Sequence, residues 1–457
     1  MKEQSRTVYK AGSYIYIEGD EDVDNVYIVE KGLVEFKSST KRVRSHGSTA
    51  EAGDVFGAVS SLSRRPRMET AFAKINTSII IFTRKKFLSV LQKNSDIAIK
   101  LLNTFADELR LYDTMIFPLG AADTVFLPED IQLFNLGKYY YEENGLATAC
   151  YILKRYCGLY PGGANMKEAR MMLDNLEKKG IRRAAEPVLD GIYQRYADKQ
   201  IIFCEHEPGG ELFIIKKGKV KIVKHHDRSE MILSVLSEGD IFGELAIVSD
   251  KPRNATAISY GGTILLPIDK DSLTRLIQKS SDILKRIFTA ISQRVWFTFI
   301  RMESKFYEKP ITRIYVFLEN KLIEDNISLK SRDPHTFHFG IDELIRMTNT
   351  PADKIVAIMD ELTLDRNLEF NLGQTGIENP GLISSKARYY RSRDRLYEGT
   401  EKQEAPDEER HEPSVPEPVQ LKETSGIKKI TGDSLTDQAS APEGLYKELE
   451  DEIGRNS

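Results

Sequence analysis

A multidomain β + α protein is what this sequence predicts: two jelly-roll-like β-rolls, a helical hairpin between them, a mixed C-terminal unit and a disordered tail. Three features carry that expectation. The segment from Tyr27 to about Ile97 matches a second segment 186 residues later without a gap. Each copy is a series of strand-length apolar runs followed by a helix-type pattern. The composition changes sharply near residue 400, where apolar residues give way to Glu, Pro, Ser and Thr.

The repeat is strict in register. Gly32 falls on Gly218, Gly53-Asp54 on Gly239-Asp240, Phe56-Gly57 on Phe242-Gly243, Pro66-Arg67 on Pro252-Arg253 and Thr70-Ala71 on Thr256-Ala257. The run QKNSDI at Gln92 falls on QKSSDI at Gln278. Chance does not produce such a register, so one domain has been duplicated. With 457 residues there is room for about three domains. The composition, 40% hydrophobic and 29% charged, supports more than one packed core.

In the first copy YIYIEG, VYIVEKGLVEFK and SIIIF read as strands, and in the second FIIKKGKVKIVK, MILSVL and TILLPI do. The helix that follows is SDIAIKLLNTFADELRLY in copy one. In copy two it is longer and more apolar, with a stripe of Ile283, Ile287, Ile291, Val295, Thr298 and Met302 widened by Phe288, Phe299 and Phe306. So broad a face suits packing on its own roll together with pairing to a twin across a dimer axis. A homodimer through residues 281–307 is therefore expected.

Between the copies, residues 131 to 178 read as helical. Leu136-Gly137, Tyr140, Ala149, Leu153, Tyr156 and Pro161 fall at tetratricopeptide positions. Small residues let two antiparallel helices approach and Pro161 stops the second. One unit cannot build a solenoid, so the expectation is a spacer or a protein-docking hairpin.

From Glu401 to Ser457 there are about 15 acidic and 7 basic residues, so the tail carries about -8 of the net -4 and conceals a mildly basic body. Such a segment cannot bury enough apolar surface to offset its ordering entropy. Its end, LYKELEDEI, is amphipathic and suits a partner-binding arm. The N-terminus lacks an apolar signal core and no run approaches about 18 apolar residues, so a cytoplasmic protein with no membrane partner is expected. Cys150, Cys157 and Cys204 contain no C-x-x-C and read as ordinary buried thiols.

The chemistry lies in GDIFGELAIVSDKPRNATAI, Gly239 to Ile258. Gly243 permits close approach to the backbone, and a short helix beginning after it offers free N–H groups to an anion. Glu244 accepts from hydroxyls, while Arg253 presents a planar fork to a phosphate. An acceptor for sugar hydroxyls beside one fixed cation suits a nucleotide with a single negative charge. With its F-G-E-L-A and P-R-x-A-T signatures, the segment resembles the phosphate-binding cassette of cyclic nucleotide-binding domains.

That resemblance implies roles. Glu244 would bind the ribose 2'-OH, Arg253 the cyclic phosphate, and Gly243 and Ala246 would supply backbone N–H groups. The strand Glu230 to Leu236 looks like the one preceding the cassette in the catabolite activator family and places Ser234 near the pocket. The same family implies Thr298 over the purine, and Asn254 where related domains help choose the base. Asn carries both donor and acceptor, so it leaves the base open. The implied ligand is a cyclic mononucleotide, with cAMP as first expectation, and no cofactor or metal.

Copy one departs from the pattern in GDVFGAVSSLSRRPRMETAFA. Gly57, Arg67 and Thr70 are kept, but Ala58 replaces the glutamate and Glu69 stands where copy two has Ala255. A ribose hydroxyl would lose its partner, and a carboxylate would stand near the phosphate. A degenerate packing domain is expected.

After the second long helix, ITRIYVFLENKL, FGIDELIRMTN and TPADKIVAIMDELTLDRNLEF resemble the winged helix of the catabolite activator family. Thr350 to Asp353 reads as a capping box with Pro at the first helical position. Base readout needs Arg, Lys, Asn or Gln on the exposed face. Here Ala352, Asp353, Lys354, Ala357 and Asp360 stand there instead. Basic residues follow in SKARYYRSRDR, where Lys386, Arg388, Arg391, Arg393 and Arg395 suit weak backbone contact with nucleic acid or a solvated linker. The expected domains are 1–118, 125–182, 188–308, 309–395 and a tail 396–457. Two functions follow: a nucleotide-sensing transcription regulator, or a nucleotide-responsive adaptor acting through an unknown protein partner with weak DNA binding. Neither is an enzyme. No P-loop, nucleophile elbow or metal-spaced cluster appears, and His225-His226 would point to opposite faces of a strand.

Overall fold

The computed structural model describes residues 4–38, 48–116, 127–181, 186–226, 229–249, 251–348, 350–371 and 373–394. The acidic tail, its amphipathic end and Arg395 lie outside the described residues. The first roll is two four-stranded sheets face to face. Strands Gln4–Tyr9, Thr77–Thr83, Asn25–Lys31 and Val55–Phe56 form one, and Tyr14–Tyr16, Thr70–Ala73, Val34–Lys37 and Thr49–Ala50 the other. Alternation along each strand sends Tyr16, Tyr27, Val29, Val34, Phe36 and Phe56 into the space between them. The cassette helix α1 (Ala58–Ser63) lies between strands, and α2 (Arg84–Lys93) and the long α3 (Ser95–Ile116) follow the last strand.

A separate helical unit comes next: α4 (Glu129–Glu142), α5 (Leu146–Leu159) and α6 (Met166–Lys178). Gly137 is what lets α4 meet α5, because a Cβ there would lie 2.9 Å from the Leu153 side chain. Ala149, Leu153 and Tyr156 fill the seam, and Cys204 of the second roll joins the same core. Cys150 and Cys204 are buried, whereas Cys157 is only half-buried, which corrects the reading of three buried thiols.

The second roll repeats the first with longer strands. Glu211–His226 pairs with Thr256–Asp269 along most of its length, where the first roll uses two shorter strands for each. The pair bends at bulges around Lys217, and Gly218 sits there at φ +90°. A Cβ at Gly218 would stand 2.3 Å from Gly262 O, and one at its twin Gly32 would meet Thr77 at 2.5 Å. The repeated glycine is therefore a requirement of the bend. The cassette helix α7 (Glu244–Ser249), α8 (Lys270–Lys279) and the long α9 (Ser281–Ser304) complete the copy.

The two copies face each other about a pseudo-twofold axis, and the long helices make the seam. α3 packs along α9, with Phe105 on Phe288 at 6.3 Å and Tyr112 on Phe299 at 5.7 Å between ring centroids. Each long helix also packs on the other roll's cassette helix, α9 on α1 and α3 on α7. Equivalent residues make equivalent contacts. Trp296 Nε1 donates to Pro66 O at 3.0 Å, and Arg110, which stands 186 residues before Trp296, donates to Pro252 O at 2.9 Å. Gln92 meets its own twin, Nε2 donating to Gln278 O at 3.5 Å. Self-complementary contact of this kind marks a twofold interface between copies. Here it lies within one chain, and Ile283, Ile287, Ile291, Val295 and Met302 of the α9 stripe are buried in it.

The C-terminal unit continues the same core. α10 (Pro310–Glu324) starts with Pro at its first position. A three-stranded antiparallel sheet of His335–Phe337, Gln374–Ile377 and Leu368–Asn371 packs with α11 (Ile341–Met347), α12 (Ile355–Thr363) and α13 (Pro380–Arg393). The helix start expected at Pro351 is displaced. Ala352–Lys354 is a 3-10 turn closed by Lys354 N on Pro351 O, α12 begins at Ile355, and Thr350 faces the Thr348 hydroxyl instead of capping. The run expected as a solvated linker or loose basic stretch is helix α13, stacked on α10 through Tyr315 and Tyr390 at 5.2 Å. Two of its cations are spent, Lys386 on Asp365 and Arg391 on Glu319. Arg393 lies 4.4 Å over Tyr389, and Arg388 is exposed. Among the described residues no helix is long and apolar enough to cross a membrane.

Candidate functional site

In the second roll, strand Ile241–Phe242 pairs with Phe213-Ile214 and delivers the chain to Gly243, at φ +80°. The positive φ favours glycine, and space demands it as well, since a Cβ would lie 2.7 Å from Arg253 Nη1. Arg253 is 6% exposed, and its guanidinium stacks 4.0 Å above Phe203 while Nη1 donates to Gly243 O at 2.7 Å. Burial lowers its pKa, and the carboxylates of Glu207, Glu211 and Glu244 oppose that shift. An arginine remains a cation under such a pull. Its Nε is buried with no hydrogen-bond partner among the described residues.

Glu244, the first residue of α7, is 2% exposed. Its Oε1 accepts from Arg294 Nη1 of α9 at 2.8 Å, while Oε2 is buried with no partner among the described residues. A buried acceptor oxygen and a buried guanidinium N–H, both unused among the described residues, match a ligand that brings a hydroxyl donor and an anionic acceptor. Ala246 is buried on α7 against the loop at Gly209, where a Cβ would come within 2.6 Å of its own. Ser234 is half-buried opposite Ile222 on the strand Ser229–Leu236. Thr298, also half-buried, stands one helical turn beyond Arg294 on the same face of α9.

Asn254 is engaged from two sides. Its Nδ2 donates to Asp113 on α3, and its Oδ1 and backbone O accept from Lys224 Nζ at 3.3 and 3.1 Å. Sequence reasoning missed Arg294, Asp113, Lys224 and Arg110. Arg294 was within reach, because it lies four residues before Thr298. The others come from distant segments, and nothing local marks them. A wider open groove of about 430 Å³ beside Gly218, Glu238 and Thr263 contains none of the cassette residues.

The first roll has the same backbone with different chemistry. Gly57 turns at φ +70°, and Arg67 is buried with Nη1 on Gly57 O and Nη2 on Asn25 O, both at 2.9 Å. Tyr16 and Tyr27 hold its guanidinium at 4.6 and 5.4 Å. Ala58 supplies no carboxylate, and Glu69 and Glu108 line a cavity of about 50 Å³, room for a few waters. Thr70 has a structural task, its Oγ1 accepting from Glu18 N at 3.0 Å, as Thr256 does from Glu205 N.

Comparison with known proteins places the family described as cyclic nucleotide-binding domain on residues 6–94 and again on 193–280. The chain thus carries that domain twice. A cAMP-dependent protein kinase regulatory subunit of Mucor circinelloides f. lusitanicus is 24% identical over 263 residues, 58% of this chain and 46% of that one. The regulatory subunit of Dictyostelium discoideum is 30% identical over 126 residues, 26% of this chain and 36% of that one. This chain spans about half or less of the length of the curated relatives it matches. Among solved structures, the regulatory domain of Toxoplasma gondii PKA with cAMP matches 62% of this chain and 85% of its own at 17% identity, with a TM-score of 0.19. A CRP-family transcriptional regulator from Thermus thermophilus matches 42% and 96% at 17% identity, with a TM-score of 0.33.

Proposed function

We propose that this protein is a cyclic mononucleotide-responsive regulator whose second roll is the sensor. The observation that carries the reading is the pair of buried, incompletely used groups in one cassette: Glu244 for the ribose 2'-OH and Arg253 for the cyclic phosphate. Gly243 and Ala246 offer backbone N–H groups, Ser234 flanks the phosphate and Thr298 stands toward the base, while Asn254, bonded to Asp113 and Lys224, would have to release them to contact it. The relatives are named as regulatory subunits of cAMP-dependent kinases, which supports cAMP as the first ligand to try. Full-length protein titrated with cAMP and with cGMP by calorimetry tests this. One site per chain is expected, because the first roll has Ala58 where the second has Glu244 and so offers a ribose hydroxyl no carboxylate, although Arg67, like Arg253, keeps a buried Nε without a partner among the described residues. Two equal sites would show that the first roll binds as well, and no heat with either nucleotide would overturn the sensor.

The output we propose is contact with another protein. We read the C-terminal unit as winged-helix-like, with α12 in the place of a readout helix. The exposed face of α12 and the residues that flank it show Val356 and Leu364, 72% and 82% exposed, among Asp353, Asp360 and Glu361. Carboxylates repel a phosphate backbone, and apolar side chains make no hydrogen bonds to base edges. Selection from random duplexes with cAMP present is expected to return weak, salt-dependent binding without a consensus. Recovery of a sharp palindromic site would restore a transcription regulator. The helical hairpin α4–α5, tetratricopeptide-like in its Gly137 and Ala149 seam, is a second protein-contact element under this reading.

A further inference from the structure

The loop from Cys204 to Gly210 runs between the helical unit and the second cassette. Its backbone is bonded to Arg253 on both sides: His206 N donates to Arg253 O at 2.9 Å, and Arg253 N donates to Glu207 O at 2.8 Å. Gly209 then passes so close that a Cβ would stand 2.4 Å from Arg253 Nε. The position of this loop therefore sets the position of the arginine.

Glu205 anchors the loop to the roll, its carboxylate accepting from His225 N at 3.2 Å and pairing with Lys224 at 3.5 Å, and the Glu207 side chain, 5% exposed, ties it to the helical unit. Within the loop it accepts from Cys204 N at 3.1 Å. From outside, two residues of α5 grip it. Arg155 Nη2 pairs with Oε1 at 2.6 Å, and the Tyr151 hydroxyl donates to Oε2 at 3.1 Å. Tyr151 and Arg155 are four residues apart and share one helix face. Burial, and then the Glu207 charge, push the Tyr151 hydroxyl far above its usual range, so it stays a donor at any physiological pH.

The first roll supplies the control. There the same ladder exists, with Gly19 N on Arg67 O at 2.8 Å and Arg67 N on Asp20 O at 2.9 Å. Asp20 likewise accepts from the residue three before it, Ile17 N, at 2.9 Å. Asp20, however, is exposed, and among the described residues its side-chain hydrogen bond is the local one alone. The clamp from a helix is an addition made only at the copy that keeps Glu244.

We infer that the helical hairpin is a working part of the second nucleotide site, with Tyr151 and Arg155 as positioning residues that act on Arg253 through Glu207. The inference rests on the reading that Arg253 takes the cyclic phosphate. By linkage, a protein that docks on the hairpin and shifts α5 changes nucleotide affinity, and nucleotide changes its affinity by the same factor.

Calorimetry with cAMP on the intact chain tests it, comparing wild type, Arg155→Ala, Arg155→Lys, Tyr151→Phe, Arg253→Lys and the double variant Arg155→Ala/Arg253→Lys. Arg155→Ala is expected to weaken binding about 10-fold, the coupling typical of groups in one hydrogen-bonded network. Arg155→Lys should recover part of that loss, because a cation again faces Glu207. The double variant should bind little worse than Arg253→Lys alone, since the effect runs through the arginine; a merely structural role predicts that the losses add. Should Arg155→Ala unfold, Tyr151→Phe, which keeps the ion pair, is expected to weaken binding a few-fold and carries the test. Unchanged affinity in Arg155→Ala or Tyr151→Phe, or full additivity in the double variant, overturns the inference while leaving the sensor intact. A wild type that binds no cAMP removes the sensor and the inference together.

Discussion

Replacing Arg253 with alanine is expected to remove most of the second roll's affinity for cAMP, a loss of about 2–5 kcal/mol or roughly 30-fold to several-thousand-fold. The size follows from where the guanidinium stands. It is buried against Phe203 and Phe213, so a phosphate brought beside it leaves water and must find its charge partner there. Its Nη1 is held on Gly243 O, which aims the fork and limits reorganisation when ligand arrives. Alanine removes the partner and also the prop under the Gly243 turn. Arg253→Lys separates the two effects: a point charge without the fork should recover part of the affinity and none of the stacking. Calorimetry on the intact chain measures both, and an alanine variant that binds like wild type would place the ligand elsewhere.

The cassette could be read in the sequence because its requirements are local. A glycine at positive φ, a carboxylate at the next position and an arginine ten residues after the glycine lie within one strand-turn-helix-strand segment, and the 186-residue offset shows the same segment with Ala58 in place of Glu244. The packing of the long helices could not be read in the same way. An apolar stripe states that a face of α9 is buried, and a twin helix in a second copy satisfies it as well as α3 does. The offset itself held the answer, since duplicated halves can rebuild within one chain a twofold contact otherwise made between two. Charged partners were hidden for a different reason. Arg110 on Pro252 O, Asp113 on Asn254 and Arg155 on Glu207 are contacts between segments far apart in sequence, and no local pattern distinguishes such residues from a solvated helix face. At α12 the local signal was misleading. Thr350-Pro351 has the composition of a helix start, yet Ala352–Lys354 forms a 3-10 turn and the Thr350 hydroxyl meets that of Thr348.

Truncating Phe288 to alanine is expected to destabilise the whole chain by about 3–5 kcal/mol, the range for deleting a fully buried aromatic side chain. Phe288 is fully buried where α9 crosses α3, edge-on to Phe105. The cluster around it is continuous: it takes in Val26, Leu62 and Phe82 of the first roll, Leu212, Ile214 and Leu266 of the second, and Ile314 and Leu318 of α10. Such a core cannot give way beneath one roll alone. Both rolls should therefore unfold in one shifted transition, with fluorescence of Trp296, which reports on the first cassette through its bond to Pro66, and far-UV circular dichroism giving the same midpoint. The midpoint should fall without a change in denaturant slope. Sedimentation of the unmodified protein completes the comparison, because the face that would pair two copies is occupied internally and a monomer is expected. Two separate transitions, of which only the later one moves, would mean that the rolls are energetically independent. A dimer that dissociates on the same substitution would return the α9 seam to the space between two chains.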